Sequence, residues 1–268
     1  IEEALEMVFN ASMVNKYKQS WDSDALLLQD ICGWIPQLLL AVSYMHRSLE
    51  TMSLGGVQAF LVSVVASLDA QMCKSLAGQL SKCLAHDHAA LDLLVPALIQ
   101  AAGKRLSLQL DNEQATRALS VLFDSNESLP YNRLSELRRL QAYSTEHVES
   151  ILTLVKPTHL LVLRPDVAQK LCALLWAIAG VRGSSHLQPH TLMLLAKLGQ
   201  HAAVAQVLPK LCSPTDVVAA IVGIDSTEHA MFGFVTSWLS ALSRDAQDTA
   251  IAKFLGVLAD KRSWWLCC

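Results

Sequence analysis

Residues 166–180 read DVAQKLCALLWAIAG, and residues 191–199 read TLMLLAKLG. Apolar side chains in the first stretch recur at the spacing of one α-helical face: Val167, Leu171, Leu174, Leu175 and Ile178. Asp166 stands in the first turn, where a carboxylate suits the positive end of the helix dipole. No charge follows Lys170 within the stretch, so the helix is apolar almost all round and needs neighbours on both flanks. The two stretches therefore predict a helical hairpin inside a stacked array.

Helical periods recur along the whole chain and predict about a dozen helices, the last of them at 245–261, and no strand. The openings PDVA at 165–168 and TDVV at 215–218 lie about fifty residues apart, a spacing typical of helix-pair repeats. We expect an all-α fold, an α-solenoid of stacked antiparallel helix pairs of HEAT or armadillo type. A compact helical domain is the alternative. The polar loop at 124–130 predicts a boundary between N-terminal repeats at 1–124 and C-terminal repeats at 130–268, within one continuous array.

The N-terminal region is predicted to begin with a helix at 2–16. Asp22 and Asp24 then supply an N-cap for a helix at 25–32. Gly33 and Pro36 interrupt the pattern before a helix at 37–47, so these two pieces predict a second hairpin. Residues 51–68 carry no charge, but their serine, glycine and glutamine residues lower the hydrophobicity of the segment. We therefore expect a buried helix there and no membrane span.

The composition favours a protein that works with partners. It is 52% hydrophobic and 17% charged, whereas about 25% charged residues are usual. So little charge suggests that apolar surface is covered by other protein subunits of a complex. The net charge of −3 gives no global attraction to nucleic acid or to an anionic membrane.

The seven cysteines point to a reducing compartment. Their number is odd, and most lie within apolar helical runs, as reduced core residues do. Structural disulfides belong to oxidising compartments, so the pattern indicates an intracellular location. Because residue 1 is isoleucine, we expect a fragment or a processed form of a longer native chain.

No motif in the sequence predicts catalysis. There is no nucleophile elbow, and Gly55-Gly56 lacks the following lysine and hydroxyl residue of a phosphate-binding loop. His186 and His190 are spaced like metal ligands, but Pro189 interrupts their helix face and no carboxylate lies nearby. We therefore expect no enzyme activity, no metal, no cofactor and no small-molecule substrate.

The central hairpin resembles a known repeat. Its Leu175-Trp176-Ala177 helix and the Ala-Lys-Leu-Gly turn at 196–199 resemble the helical repeats of organellar proteins related to Fas-activated kinase and of the octotricopeptide class. The resemblance implies a mitochondrial or plastid protein that works with RNA or within a ribonucleoprotein assembly. The mitochondrial matrix is then the expected location, with the cytoplasm or the nucleus as alternatives.

A charged helix carries the candidate RNA contacts: Tyr131, Arg133, Arg138, Arg139 and Tyr143. Arginine binds phosphate through fixed donors, and aromatic rings stack on bases. Glu127 and Glu136 lie close by, which leaves open a solvated helix or an acidic protein partner.

Tryptophans are the candidate protein contacts: Trp21, Trp264 and Trp265. Solenoid ends need polar caps, and the tail at 264–266 is apolar, so a partner would cover it. Alternatively, both tail tryptophans fold back on the last helix. The sequence thus favours a non-catalytic scaffold or adaptor in a multi-protein, possibly ribonucleoprotein, assembly. The alternative is an organellar RNA-binding protein that acts in RNA processing or translation.

Overall fold

The computed structural model describes residues 7–48, 54–84, 88–108, 146–182, 189–208 and 238–261, together with residues 3, 235 and 236. Regular structure within these residues is helical throughout, which confirms the all-α prediction. The chain divides into two compact units, the first formed by Ile1–Asp111 with Thr145–Leu163 and the second by Asn112–Ser144 with Arg164–Cys268. The boundary predicted at 124–130 lies outside the described residues.

The first unit is built from helices α1 (Ala11–Ser23), α2 (Ala25–Ser48), α3 (Gly55–Ser67), α4 (Ala70–Cys83), α5 (Leu91–Leu108) and α6 (Glu146–Leu152), with 3₁₀ turns at His88–Ala90 and Pro157–Val162. Alternate helices pack on each other. Helix α1 contacts α3 and α3 contacts α5, while α2 contacts α4 and α4 contacts α6. Contacts of α1 with α2 and of α5 with α6 join the two series.

The helix predicted at 2–16 is divided in the structure: Glu3, Met7 and Val8 are helical, and a separate helix, α1, begins after Asn10. Asn10 caps α1 with an extended backbone, and its side-chain oxygen accepts a hydrogen bond from the Met13 backbone N–H at 3.0 Å. This cap starts the helix at Ala11, and the helix runs past Lys16 to Ser23. Trp21 explains the extension, because it is 2% exposed and its burial favours keeping the last turn helical.

Helix α2 corrects the hairpin predicted from 25–32 and 37–47. It is one continuous helix with Pro36 inside it. An interior proline costs about 3 kcal/mol. Ile35, Leu39 and Val42 lie on one face of the helix and are at most 1% exposed. Burying each contributes about 1.5–3 kcal/mol, so their packing outweighs the cost of the proline.

The start of α2 agrees with the predicted cap. Asp24 Oδ1 accepts hydrogen bonds from the backbone N–H groups of Leu26 at 2.9 Å and Leu27 at 3.3 Å. Within the described residues, α2 is the one helix that by length and composition is apolar enough to cross a membrane, with a mean hydropathy of 1.6 over Ala25–Met45. A core helix meets the same criterion, and α2 packs on α1 and α4. That the chain has no membrane span therefore stays a prediction.

An aromatic cluster joins α1 to α3. The Phe60 ring centroid lies 5.0 Å from that of Phe9, 6.5 Å from that of Tyr17 and 5.8 Å from that of Trp21. The buried Trp21 indole donates its Nε1–H to Ser67 Oγ at 3.2 Å, so its polar atom is satisfied. These contacts fix the segment around Phe9 against α3.

The second unit contains the predicted central hairpin. Helices α7 (Pro165–Arg182) and α8 (Pro189–Leu198) contact each other, and α9 (Ala202–Ala205) also packs on α7. Leu171, Leu174 and Leu175 are fully buried. Gln169 Nε2 donates to the Ala203 carbonyl oxygen at 3.1 Å and links α7 to α9. Helix α10 (Arg244–Lys261) starts within one residue of its predicted position at 245.

Two glycines test the packing of the first unit. A Cβ atom at Gly56 would lie 2.6 Å from the backbone oxygen of Phe9, whereas a Cβ at Gly78 on α4 would meet nothing within 4 Å. We expect Gly56→Ala to lower the free energy of unfolding by about 1–3 kcal/mol, because backbone must move. Gly78→Ala should raise it by about 0.5–1 kcal/mol, because alanine favours the helix. Urea unfolding followed by circular dichroism measures both changes in the free energy of unfolding. Equal changes in the two variants would contradict the close approach of Gly56 to the Phe9 backbone.

Candidate protein-docking site

Most of the predicted site residues lie outside the described part of the chain: Tyr131, Arg133, Arg138, Arg139, Tyr143, Trp264 and Trp265. The remaining one, Trp21, is not the exposed anchor that was expected, since it is 2% exposed. Its spacing explains the burial: Val14, Tyr17 and Trp21 stand at i, i+3 and i+7 on one face of α1. Because the predicted helix ended at Lys16, the sequence did not indicate that Trp21 belongs to this buried face.

Helix α2 carries two adjacent apolar stripes. The first is at most 7% exposed and packs inside the unit: Leu28, Cys32, Ile35, Leu39 and Val42. The second, which we call the open stripe, is exposed or half-buried: Leu27, Ile31, Trp34, Leu38, Ala41 and Met45. Both follow the 3.6-residue period of a helix and are offset by about a quarter turn. Helix α2 is thus apolar over a wider arc than its neighbours cover.

The first part of the open stripe, from Leu27 to Leu38, lines a groove of about 400 Å³, which we call the apolar groove. Helix α2 supplies Leu27, Ile31, Trp34, Ile35 and Leu38. Across from them lie Val8 and the aromatic cluster, with Phe9, Tyr17, Trp21 and Phe60. The walls are therefore almost entirely hydrocarbon and aromatic ring, which suits the apolar side chains of a ligand or partner.

On another side of α2, a second groove of about 580 Å³ runs between α2 and α4. Its lining includes the carboxylates of Asp30 and Asp69 and the amides of Gln29, Gln71 and Gln79, and it includes no lysine or arginine. We call it the acidic groove. Asp69 is held in place by its own hydrogen bond, since its Oδ1 accepts from the Met72 backbone N–H at 2.7 Å. The acidic groove therefore presents fixed negative charge.

Trp34 borders both grooves. It is 73% exposed, whereas Trp21 and Trp176 are almost completely buried. Tryptophan is among the residues most often found as energetic anchors of protein interfaces. The sequence offered a signal for it, because Trp34 stands seven residues after Leu27 and seven before Ala41 on one face of α2. Because the sequence analysis divided α2 at Gly33 and Pro36, these three residues were not predicted to lie on one helix.

No family model, curated protein or solved structure matches this chain. The function has to be argued from the site itself. Among the described residues, no three histidine, cysteine, aspartate or glutamate side chains lie together as a metal site would need.

The buried thiols are poor nucleophiles. Burial raises the pKa of Cys172 to about 12. Burial, then the Asp69 carboxylate, then Cys32 raise the pKa of Cys73 to about 12. Burial and then Asp69 raise the pKa of Cys32 to about 11. All three are protonated at neutral pH, and the thiol form reacts slowly.

The pKa of Cys172 predicts a loss of stability in alkali. Its thiol ionises near pH 9.0 when unfolded and near 12 when folded, so its contribution is complete below pH 9 and is lost as the pH rises towards 12. Between pH 8 and pH 10, the free energy of unfolding should fall by about 1.4 kcal/mol more in the wild type than in Cys172→Ala. Urea titrations at both pH values measure this difference. The packing lost in the variant lowers its free energy of unfolding equally at both pH values and therefore cancels. Parallel pH dependence of the two proteins would contradict the raised pKa.

Proposed function

We propose that this chain is a non-catalytic helical-repeat scaffold that binds other protein subunits of a larger assembly. The observation that carries the proposal is the open stripe of α2, with Trp34 73% exposed at the edge of an apolar groove. An exposed apolar surface that is continuous along a helix marks a site of protein interaction. The low charge of the whole chain, 17%, supports the same function.

The order of helix contacts supports the solenoid arrangement over a compact helical domain. In a solenoid, each helix of a pair stacks on its counterpart in the next pair. The contacts of α1 with α3, of α3 with α5 and of α2 with α4 in the first unit follow this order. Solenoids bind partners along the surface of one such series. The open stripe belongs to the series that begins with α2.

Trp34 has enough exposed area to act as an anchor. A tryptophan side chain buries about 150–250 Å² in a protein interface. At about 25 cal/mol per Å², covering the exposed part of Trp34 is worth roughly 3–5 kcal/mol before the entropy of association is subtracted. That exceeds the roughly 2 kcal/mol at which a residue counts as an interface hot spot.

Replacing Trp34 tests the proposal. We expect Trp34→Ala to release bound protein subunits while changing the free energy of unfolding by less than about 0.5 kcal/mol, since it removes an exposed side chain. Tyr44→Ala is the matched control: Tyr44 is 74% exposed on the same helix and lines neither groove. Affinity purification of the native protein at low salt, with and without ribonuclease, identifies what stays bound.

The outcomes separate the possible functions. Protein subunits that survive ribonuclease and are lost in Trp34→Ala, but not in Tyr44→Ala, support the scaffold. Partners that leave with the RNA favour the RNA-binding alternative. A monodisperse monomer that retains no protein contradicts the scaffold function.

A further inference from the structure

The two grooves beside Trp34 have different chemistry, and together they indicate what binds there. We propose that this surface takes an amphipathic helix of a partner protein, whose apolar stripe enters the apolar groove and whose lysine or arginine enters the acidic groove. The inference rests on the proposed scaffold function and specifies the class of its partner.

The geometry of α2 favours a helical occupant. The open stripe runs from Leu27 to Met45, about five turns or roughly 27 Å. Its side chains recur at i, i+4 and i+7, and ridges with this spacing pack into the grooves of another helix. The backbone of α2 is hydrogen-bonded within the helix and offers no strand edge, so an extended peptide gains no main-chain bonds there. Ala41 is small and allows a partner backbone to come close.

The charges beside the stripe select a basic helix. Asp30 and Asp69 are exposed and line the acidic groove without a lysine or arginine among the lining residues. Residues that attract a cation line this groove, since the carboxylates of Asp30 and Asp69 are joined there by Trp34, whose ring face also attracts cations. Exposed ion pairs of this kind add modest affinity but discriminate strongly between partners of opposite charge.

The same charges argue against other occupants. A symmetric dimer through the open stripe would bring Asp30 of both copies towards one interface, where like charges repel. RNA and anionic lipid would set phosphates against Asp30 and Asp69, which is unfavourable for the same reason. A basic amphipathic segment of another protein is the occupant that satisfies both grooves.

Site-directed photo-crosslinking tests the proposal. The chain is expressed in its native cells with Trp34→p-benzoylphenylalanine or, as the control, with Tyr44→p-benzoylphenylalanine, and it is irradiated in the intact assembly. Mass spectrometry then identifies each attached segment. We expect position 34 to capture a segment with an apolar helical period flanked by lysine or arginine, and position 44 not to capture it.

Charge reversal on both sides completes the test. Peptides of the captured segment are made with their native sequence and with each basic residue replaced by glutamate. The native peptide should bind the wild-type chain about tenfold more tightly than the reversed peptide, as measured by fluorescence anisotropy. Asp30→Lys should remove or invert this preference, whereas Asp248→Lys, an exposed carboxylate on α10, should leave it unchanged.

Several results would overturn the proposal while leaving the scaffold function in place. In the crosslinking experiment, such a result is the capture at position 34 of an acidic or uncharged segment, of this chain itself, of lipid or of RNA. In the binding experiment, it is equal affinity of the native and the reversed peptide. Absence of any crosslink at position 34, in an assembly that still co-purifies with protein subunits, also overturns it. If no protein subunit co-purifies at all, the scaffold function fails together with this inference.

Discussion

Helix α2 carries more apolar surface than the helices around it cover, and this excess governs both the fold of the first unit and its candidate site. One stripe of the helix, including Ile35, Leu39 and Val42, is buried inside the unit and keeps the helix continuous through Pro36. The neighbouring open stripe stays accessible. A helix that is apolar over such a wide arc has to meet neighbours on more than one side. The uncovered side is therefore where the proposed partner would bind.

One wall of the apolar groove is the aromatic cluster, which ties α1 and the segment around Phe9 to α3. Phe60 contacts three aromatic rings, and Trp21 is tied to Ser67 by a hydrogen bond. Aromatic rings pack rigidly, with few rotatable bonds, so the groove keeps its shape without a ligand. A preformed groove spares a partner the entropic cost of ordering it.

Trp21 and Trp34 show how identical residues come to lie in different environments. Trp21 completes the buried face of α1 and has its indole N–H satisfied within the unit. Trp34 stands between two grooves of opposite character, one hydrocarbon and one acidic. The first tryptophan contributes to stability, and the second offers area for binding. A count of tryptophans in the sequence does not distinguish these environments.

Local chemistry along the chain was enough to predict several elements. The period of residues 166–180 gave the α7 helix, Asp24 gave the cap of α2, and the pattern from 245 gave α10. Each of these features depends on contacts between residues a few positions apart, and the sequence pattern alone predicts such local contacts.

Two other features were decided by tertiary structure. Pro36 favours a break, and only the burial of its neighbours on one face of α2 reverses that preference. The exposure of Trp34 and the burial of Trp21 depend on which helices pack beside them, and both grooves join residues from separate helices. The sequence by itself determined that the chain is helical and poor in charge, because periodicity and composition are local properties. Which apolar surface remains uncovered is a property of the packed unit, since it depends on every neighbour at once.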